Sequence, residues 1–410
     1  MITSFTLAGP IGTEALSVSI RSSVDATKPA TSAAFCVDGA SAFKSKEIIV
    51  RVRSALAASD LCDWPAGRLT ISVDAGGARL CVPALDLPIA LAIAGVDTSG
   101  LLVAGELGLD GSIRPVRGAL QAALLAKTLG LRGVLFPAAN AREALEALDG
   151  TDMIVHAISN LADLTRALSA AAKPTKQDAV KRAAATRLGA IVDFADVRGQ
   201  AETVSVVEKA VATHAGLLLS GPPGAGKTMI ARRIPSLLPQ MSRDEQIEVT
   251  RAYSAIGLAE GLVTERPFRA PHHTISAAAL AGGSYRPGEL HLATHGVLFL
   301  DEIAEFSRTA IEVVAQTLRE MPAASRPIVV ASANPCPCGW WNSDVRSCRC
   351  TADAAIRYSA RLEWAVEKLG LSVRASVRPV AADLRGPAGE SSASIAGRIA
   401  AAAPQGAQGA

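Results

Sequence analysis

The sequence predicts an α/β protein of more than one domain, and three observations carry that prediction. Residues 216–219, 296–300 and 328–332 are apolar runs, the last ending in Ser332, and are too short for amphipathic helices, the pattern of strands buried on both faces of a parallel sheet. The first of these runs leads into GPPGAGKT at 221–228, a glycine-rich turn followed by a helical pattern over 229–238. Upstream, residues 101–105, 118–129 and 133–136 read as strand, helix, strand, with a further helix opening near Asn140. At 410 residues the chain also exceeds one ordinary core, since single domains usually close at roughly 100–200 residues.

In chain order, residues 48–57 and 88–94 carry helical patterns, and 68–73 alternate as a half-buried strand does. The most apolar stretch, 87–96, is roughly half as long as a membrane-spanning helix and is flanked by Asp86 and Asp97. The start of the chain lacks a basic segment followed by an apolar one, so a soluble cytoplasmic protein is expected. Hydrophobic residues at 49% against charged residues at 19% exclude a wholly disordered chain. Forty-one Lys and Arg against 38 Asp and Glu leave +3, too little for a bulk attraction to polyanions, so any such partner needs a local site. Residues 169–190, with Lys173, Lys176, Lys181 and Arg182, change to Ala, Lys and Thr and read as a linker. A second block follows, and beyond Gly386 small residues dominate, with 396–410 expected as a disordered tail.

The strongest chemical signal is the complete G-x-x-x-x-G-K-[ST] pattern between a predicted strand and a predicted helix. Gly221, Pro222, Pro223, Gly224, Ala225 and Gly226 form a turn whose backbone N–H groups converge on phosphate oxygens. Lys227 neutralises the terminal phosphates of ATP, Thr228 offers a hydroxyl to Mg²⁺, and Met229 continues the helix whose positive end faces the anion. The run at 296–300 ends in Asp301 and Glu302, which in a nucleotide site hold Mg²⁺ and polarise the attacking water, respectively. The run at 328–332 reaches Asn334. Its two readings are a contact to the γ-phosphate side or the lytic water, and an Asx turn before Pro335. Three strands thus finish in candidate ligand groups, as a parallel sheet that binds at its carboxyl ends requires.

Seven cysteines exclude a fully paired set of disulfides within one chain. Cys36, Cys62 and Cys81 are scattered and read as small buried or half-buried side chains. Cys336, Cys338, Cys348 and Cys350 crowd together, enough for a tetrahedral Zn²⁺ site, although C-x-C pairs are tighter than the usual C-x₂-C. Zinc and reduced free thiols both remain open, and disulfides are disfavoured by a reducing cytoplasm. Trp340 and Trp341 lie between the pairs. His272 and His273 are adjacent, and successive side chains diverge in regular backbone, so joint metal binding is not expected. Arg266, Arg269 and Arg286 form a thin basic segment open to DNA phosphate.

Together these residues resemble the ComM/YifB family of magnesium-chelatase-like AAA+ ATPases. DFADVRGQ at 193–200, RPFRAPHHTIS at 266–276 and NPCPCG at 334–339 are similar to the family's module entry, its signature between Walker A and Walker B, and its sensor-1 strand end. DLPIAL at 86–91 and GELGLDGSIRPVRG at 105–118 resemble its Lon-protease-like domain. The resemblance implies a Lon-like (ribosomal S5 domain 2-like) α+β domain over 1–168, the linker, and a P-loop AAA+ three-layer α/β module over 191–395. It implies ATP and Mg²⁺ as ligands and a ring oligomer, a hexamer. It also implies work on branched or single-stranded DNA, such as branch migration during DNA uptake, with an arginine from the neighbouring subunit completing each site.

The chain departs from that family in four places. Leu120 stands where a working Lon-type protease has its lysine, and a leucine takes no proton, so Ser-Lys peptidase chemistry is not expected. Only residues 321–327 occupy the place of the family's pore hairpin. Arg361 matches the start of the expected arginine-finger segment, and Lys368 falls at the finger itself, with the charge but not the planar fork of arginine. No sensor-2 arginine is identifiable and the lid is incomplete. An impaired ATPase is one expectation, and a nonhydrolysing nucleotide-gated scaffold or decayed paralogue is the other. A magnesium-chelatase-like metal insertase rests on fold analogy alone.

Overall fold

In the predicted strand at 68–73 every second side chain is buried, and that alternation helps build the larger of the two main sheets. The computed structural model describes residues 1–8, 14–29, 34–37, 42–75, 82–169, 192–283, 286–341, 346–378 and 388–402. Residues 170–190 of the expected linker, Cys81, and residues 403–410 of the expected tail lie outside the described residues; residues 396–402 of that tail are not disordered but belong to the helix Ser392–Ala402, whose Ile395 and Ile399 are buried. The chain folds as two compact units. One comprises residues 1–186 with Thr250–Val263 and Ser284–Pro287; the other comprises Arg187–Val249, Thr264–Gly283 and Gly288–Ala410.

The first unit has strands β1 (Ile2–Ala8), β2 (Glu14–Pro29) and β3 (Ala34–Val37), helix α1 (Ala42–Ser59), strand β4 (Gly67–Asp74) and helix α2 (Asp86–Ile93). Strand β5 (Leu101–Val103), helix α3 (Ala119–Thr128), strand β6 (Gly133–Pro137), helix α4 (Ala141–Ala147), strand β7 (Ile154–Ile158) and helix α5 (Leu164–Ser169) follow. The sheet order is β3-β4-β2-β1-β5-β6-β7. Strands β1 and β2, and β2 and β4, pair antiparallel, while the other neighbours are parallel. Leu69, Ile71 and Val73 of β4 point into a core shared with Ile48, Val52 and Leu56 of α1, because period two and period 3.6 each put their apolar residues on one face. Helix α2 is apolar all round and buried. At its start the fully buried Asp86 carboxylate accepts two hydrogen bonds from Arg51, at 2.7 and 3.1 Å. The flank that makes this stretch unlike a membrane span is thus a buried ion pair, and no described helix is long and apolar enough to cross a membrane. The predicted strand, helix, strand unit is present as β5, α3 and β6, with β5 parallel to β6.

The second unit begins with helix α6 (Ala201–Ala212), strand β8 (Leu217–Ser220) and helix α7 (Lys227–Ala231). Helix α8 (Arg243–Ala255) follows, its last residues counted with the first unit, and then strands β9 (Phe268–Arg269) and β10 (Val297–Leu300). Helix α9 (Arg308–Glu320), strand β11 (Ile328–Ala333), helix α10 (Ala352–Lys368), strand β12 (Val373–Ser376) and helix α11 (Ser392–Ala402) complete it. The order β9-β10-β11-β8-β12 is parallel throughout. Every residue of β10 and β11 is buried, which is why neither alternates in sequence. The predicted helix over 229–238 is shorter than expected: α7 stops at Ala231 and a 3₁₀ turn, Ile234–Leu237, takes over. Pro235 lacks an N–H and disfavours helical backbone at Ile234, so the α pattern cannot run through. Strand β12, paired to the outer side of β8, is an element the sequence reading did not assign.

Candidate functional site

The parallel register sets the site. Ser220 at the end of β8 lies beside Ala333 of β11 and Ser376 of β12, so the turn after β8 opens between two strand ends. Gly221 donates its N–H to Ala333 O at 3.2 Å, and a Cβ there would lie 2.1 Å from Val377 O. Only glycine fits between the strands. Gly224 and Gly226 have φ of +76° and +97°, the region glycine enters without strain, and an added Cβ at Gly224 would meet nothing within 4 Å. Pro222 is half-buried and Pro223 exposed, Ala225 is buried, and Met229 packs at the edge of the core behind the turn.

Gly226 ends the turn and Lys227 opens α7. The Lys227 ammonium donates to Gly221 O at 2.6 Å, Pro222 O at 3.1 Å and Asn334 Oδ1 at 3.0 Å. Burial lowers its pKa, and the Asp301 and Glu302 carboxylates pull it back up. Thr228 donates its hydroxyl to Asp301 Oδ2 at 3.1 Å. Of the predicted group, then, Lys227 meets Asn334 and Thr228 meets Asp301, across three strands. Glu302 follows Asp301 with an exposed side chain and left-handed backbone, φ +54°, uncommon for a residue with a Cβ.

Ser332 explains how that turn is held, and the sequence reading gave it no role. It is fully buried in an otherwise apolar strand; its Oγ accepts the Glu302 N–H at 2.9 Å and donates to Asp301 Oδ1. A lone serine in an apolar strand is the signal that was there to read, because a buried hydroxyl needs a partner. The arrangement fits a magnesium nucleotide: an open turn lined by backbone, a buried cation, and adjacent hydroxyl and carboxylate oxygens of the kind Mg²⁺ takes. A cavity of about 780 Å³ lies elsewhere in this unit, lined by Val197, Gln200, Val204, Glu208, Gly389 and Arg398, and none of the predicted site residues borders it.

The cysteines of 336–350 also come together. The Cys336 Sγ lies 3.4 Å from that of Cys338 and 3.7 Å from that of Cys348, and Cys338 and Cys348 are 3.5 Å apart. All four sulfurs, Cys350 included, lie within 4.8 Å of one another. The Arg349 N–H beside Cys338, with that of Trp340, draws its thiol down to about 6.

Two expectations are corrected. Arg266 and Arg269 are not available to a polyanion. Arg266 is bound to Glu245 and to the carbonyls of Pro239 and His295, and Arg269 makes a two-pronged pair with Glu289 at 2.6 and 2.8 Å. Bidentate arginine–carboxylate pairs are among the stronger charge-assisted hydrogen bonds, and these forks are already engaged. The His272 and His273 rings do not diverge either: their centroids are 4.1 Å apart, because the backbone there is an irregular turn and not a strand or helix. Arg286 is exposed. Lys368 is exposed in the last turn of α10, Arg361 donates to Phe306 O, and the connection between α9 and β11 is a single 3₁₀ turn, Ala323–Ser325. Leu120 is wholly buried in α3. Cys62 is half-buried. Trp341 is exposed, and the Arg346 guanidinium stands over the Trp340 ring at 5.8 Å.

Comparison with known proteins adds to this geometry. Residues 193–380 match the family model described as magnesium chelatase, subunit ChlI, and residues 24–140 match that of subunit ChlI of Mg-chelatase. The chain is 39% identical over 325 residues to an uncharacterized protein of Mycobacterium tuberculosis, Rv2897c, covering 73% of this chain and 63% of that one. It is 33% identical to YifB of Escherichia coli, over 87% of this chain and 73% of YifB. To the competence protein ComM of Haemophilus influenzae it is 32% identical, over 86% of this chain and 73% of ComM. The match thus spans under two thirds of the mycobacterial relative's length.

Proposed function

Because the chain belongs to the ComM/YifB family of magnesium-chelatase-like proteins, and so to the AAA+ ATPase type, we propose that it hydrolyses ATP at the Lys227 site and couples hydrolysis to remodelling of DNA. The observation that carries the first half is the meeting of Lys227 with Asn334 and of Thr228 with Asp301 at the ends of β8, β10 and β11. The second half rests on the likeness to a protein named for competence.

In this reading the backbone N–H groups of Gly224, Ala225 and Gly226 and the Lys227 ammonium bind the phosphates, the ammonium exchanging neutral carbonyl partners for anionic oxygens. Thr228 and Asp301 would hold Mg²⁺, which neutralises phosphate charge when bound. Glu302 accepts a proton from the attacking water, and Asn334 orients that water or the terminal phosphate. Ser332 positions both carboxylates by fixing one oxygen of Asp301 and the Glu302 backbone. The first unit is read as a Lon-like domain without peptidase chemistry, since Leu120 offers no base, and as a surface for partners. Assembly into a ring would bring a cation from the neighbouring subunit to each site, with Lys368 as the candidate.

Steady-state ATP hydrolysis by the full chain tests this, with Lys227→Ala and Glu302→Gln alongside and branched DNA added or omitted. The expected result is turnover that branched DNA raises and that falls on the order of a hundredfold in Glu302→Gln. Tight ATP binding by the native chain without turnover overturns the hydrolysis reading and leaves the nucleotide-gated scaffold. Turnover indifferent to DNA removes the DNA half alone.

A further inference from the structure

We infer that Cys336, Cys338, Cys348 and Cys350 hold one zinc ion as a four-thiolate centre, and that this centre braces the nucleotide site by fastening the Asn334–Gly339 turn to the start of α10. The first part stands on the sulfurs alone; the second rests on the nucleotide reading of the Lys227 site.

Zn–S bonds of about 2.3 Å at tetrahedral angles place sulfurs roughly 3.8 Å apart. The separations among Cys336, Cys338 and Cys348 are 3.4, 3.5 and 3.7 Å, close to that spacing and far from the ~2.05 Å of a disulfide. Four sulfurs from two separate C-x-C segments converge on one point, which neither pairwise oxidation nor simple packing requires. Backbone N–H groups already face them: Cys338 N–H to Cys350 Sγ at 3.3 Å, Arg349 N–H to Cys338 Sγ at 3.5 Å, and Cys350 N–H to Cys348 Sγ at 3.4 Å. Such donors stabilise thiolate charge around a bound metal. The charge balance agrees, because four thiolates on Zn²⁺ carry two net negative charges and the exposed Arg346 and Arg349 lie in the same loop. Loading proceeds by exchange, Zn²⁺ replacing up to four thiol protons, which leave to solvent, with no change of oxidation state.

The position of the cluster gives it a second consequence. Cys336 follows Asn334 by two residues, and Asn334 Oδ1 is one of the three acceptors of the Lys227 ammonium. Gly339 closes the turn by donating its N–H to Cys336 O at 2.9 Å, with φ +82°. It lies so close to the phosphate-binding turn that a Cβ on it would sit 2.4 Å from Pro223 Cδ. At the other end Cys350 precedes Thr351, whose side chain caps α10. A metal joining Cys336 and Cys338 to Cys348 and Cys350 therefore ties the turn that follows Asn334 to the start of α10.

The experiment is metal analysis of the full chain purified without chelator, with thiols counted in denaturant. One zinc per chain, lost in Cys338→Ser and in Cys348→Ser, is the expected result. Cobalt exchange into the native chain should give the thiolate charge-transfer and visible bands of a tetrahedral four-sulfur site, a readout that does not depend on the variants folding. Folded native chain with all seven thiols free or with disulfides, and no metal, overturns the zinc site. For the brace, a fluorescent ADP analogue is titrated into the native chain as purified, after stripping, and after zinc is restored. Affinity should fall on the order of tenfold on stripping and recover. Unchanged affinity overturns the brace while leaving the zinc. A chain that carries zinc but binds no nucleotide in any state overturns the nucleotide reading and the brace with it, and Lys227→Ala that keeps its zinc shows that the two measurements are independent.

Discussion

Ser332 is the residue whose removal separates positioning from binding. Ser332→Ala leaves Lys227 and the glycine-rich turn untouched but takes the partner from the part-buried Glu302 N–H and from Asp301 Oδ1. We expect the turnover number to fall on the order of tenfold, with nucleotide affinity within about threefold, and a stability loss of about 1–3 kcal/mol for the unsatisfied donor. Kinetics and equilibrium binding on one preparation check it; equal losses in both would show that the serine only supports the fold. Lys227, Thr228, Asp301 and Glu302 were all legible in the sequence because a spaced glycine motif and an apolar run ending in carboxylates each imply a chemical task. Ser332 was not, because its importance lies in two partners on a different strand. The same holds for His295, which is buried with one ring nitrogen 2.8 Å from Glu248 Oε2 and the other 3.3 Å from Glu245 Oε1. Nothing in a single histidine between Thr294 and Gly296 announces that pairing.

Strands and turns were readable to the extent that their patterns are local. Uniformly apolar runs predicted β8, β10 and β11, and alternation predicted β4, but β12 was missed because the alternation in VRAS spans only four residues, too few to stand out without its pairing with β8. The glycine that begins the phosphate turn belongs to this scale. Gly221→Ala would set a methyl group against Val377 O, so β12 must shift away from β8. A loss of about 1–3 kcal/mol in the second unit's stability is expected, together with weaker nucleotide binding, as overpacking between ordered strands gives. Urea unfolding of the variant checks this; native stability would mean that β12 yields freely and that the close approach is incidental.

At the scale of the whole molecule the two units have separate cores, so a single unfolding free energy for the chain is not defined. Within the first unit Glu143 is 2% exposed, and burial pushes its pKa from 4.5 up to about 7, against the Asn140 amide, which lowers it. The folded state therefore holds this proton more tightly than the unfolded chain does. Its contribution is fully present below about pH 4.5 and is lost as pH rises to about 7, an effect of up to about 3 kcal/mol. Hydrogen exchange of the β5 and α3 amides should show protection declining over that window in the native chain and a flatter profile in Glu143→Gln; identical profiles would place the titration elsewhere.

By itself the sequence determined the α/β class, the glycine-rich turn, the carboxylate pair, the cysteine cluster and the family, because each is carried by residues close together in the chain. Only the tertiary structure decided that Arg266 and Arg269 are occupied by internal carboxylates, that Thr250–Val263 folds with the first unit, and that four sulfurs meet. It also decided that the Gly339 turn rests on Pro223. Those are distances between segments remote in sequence, and local pattern carries no information about them.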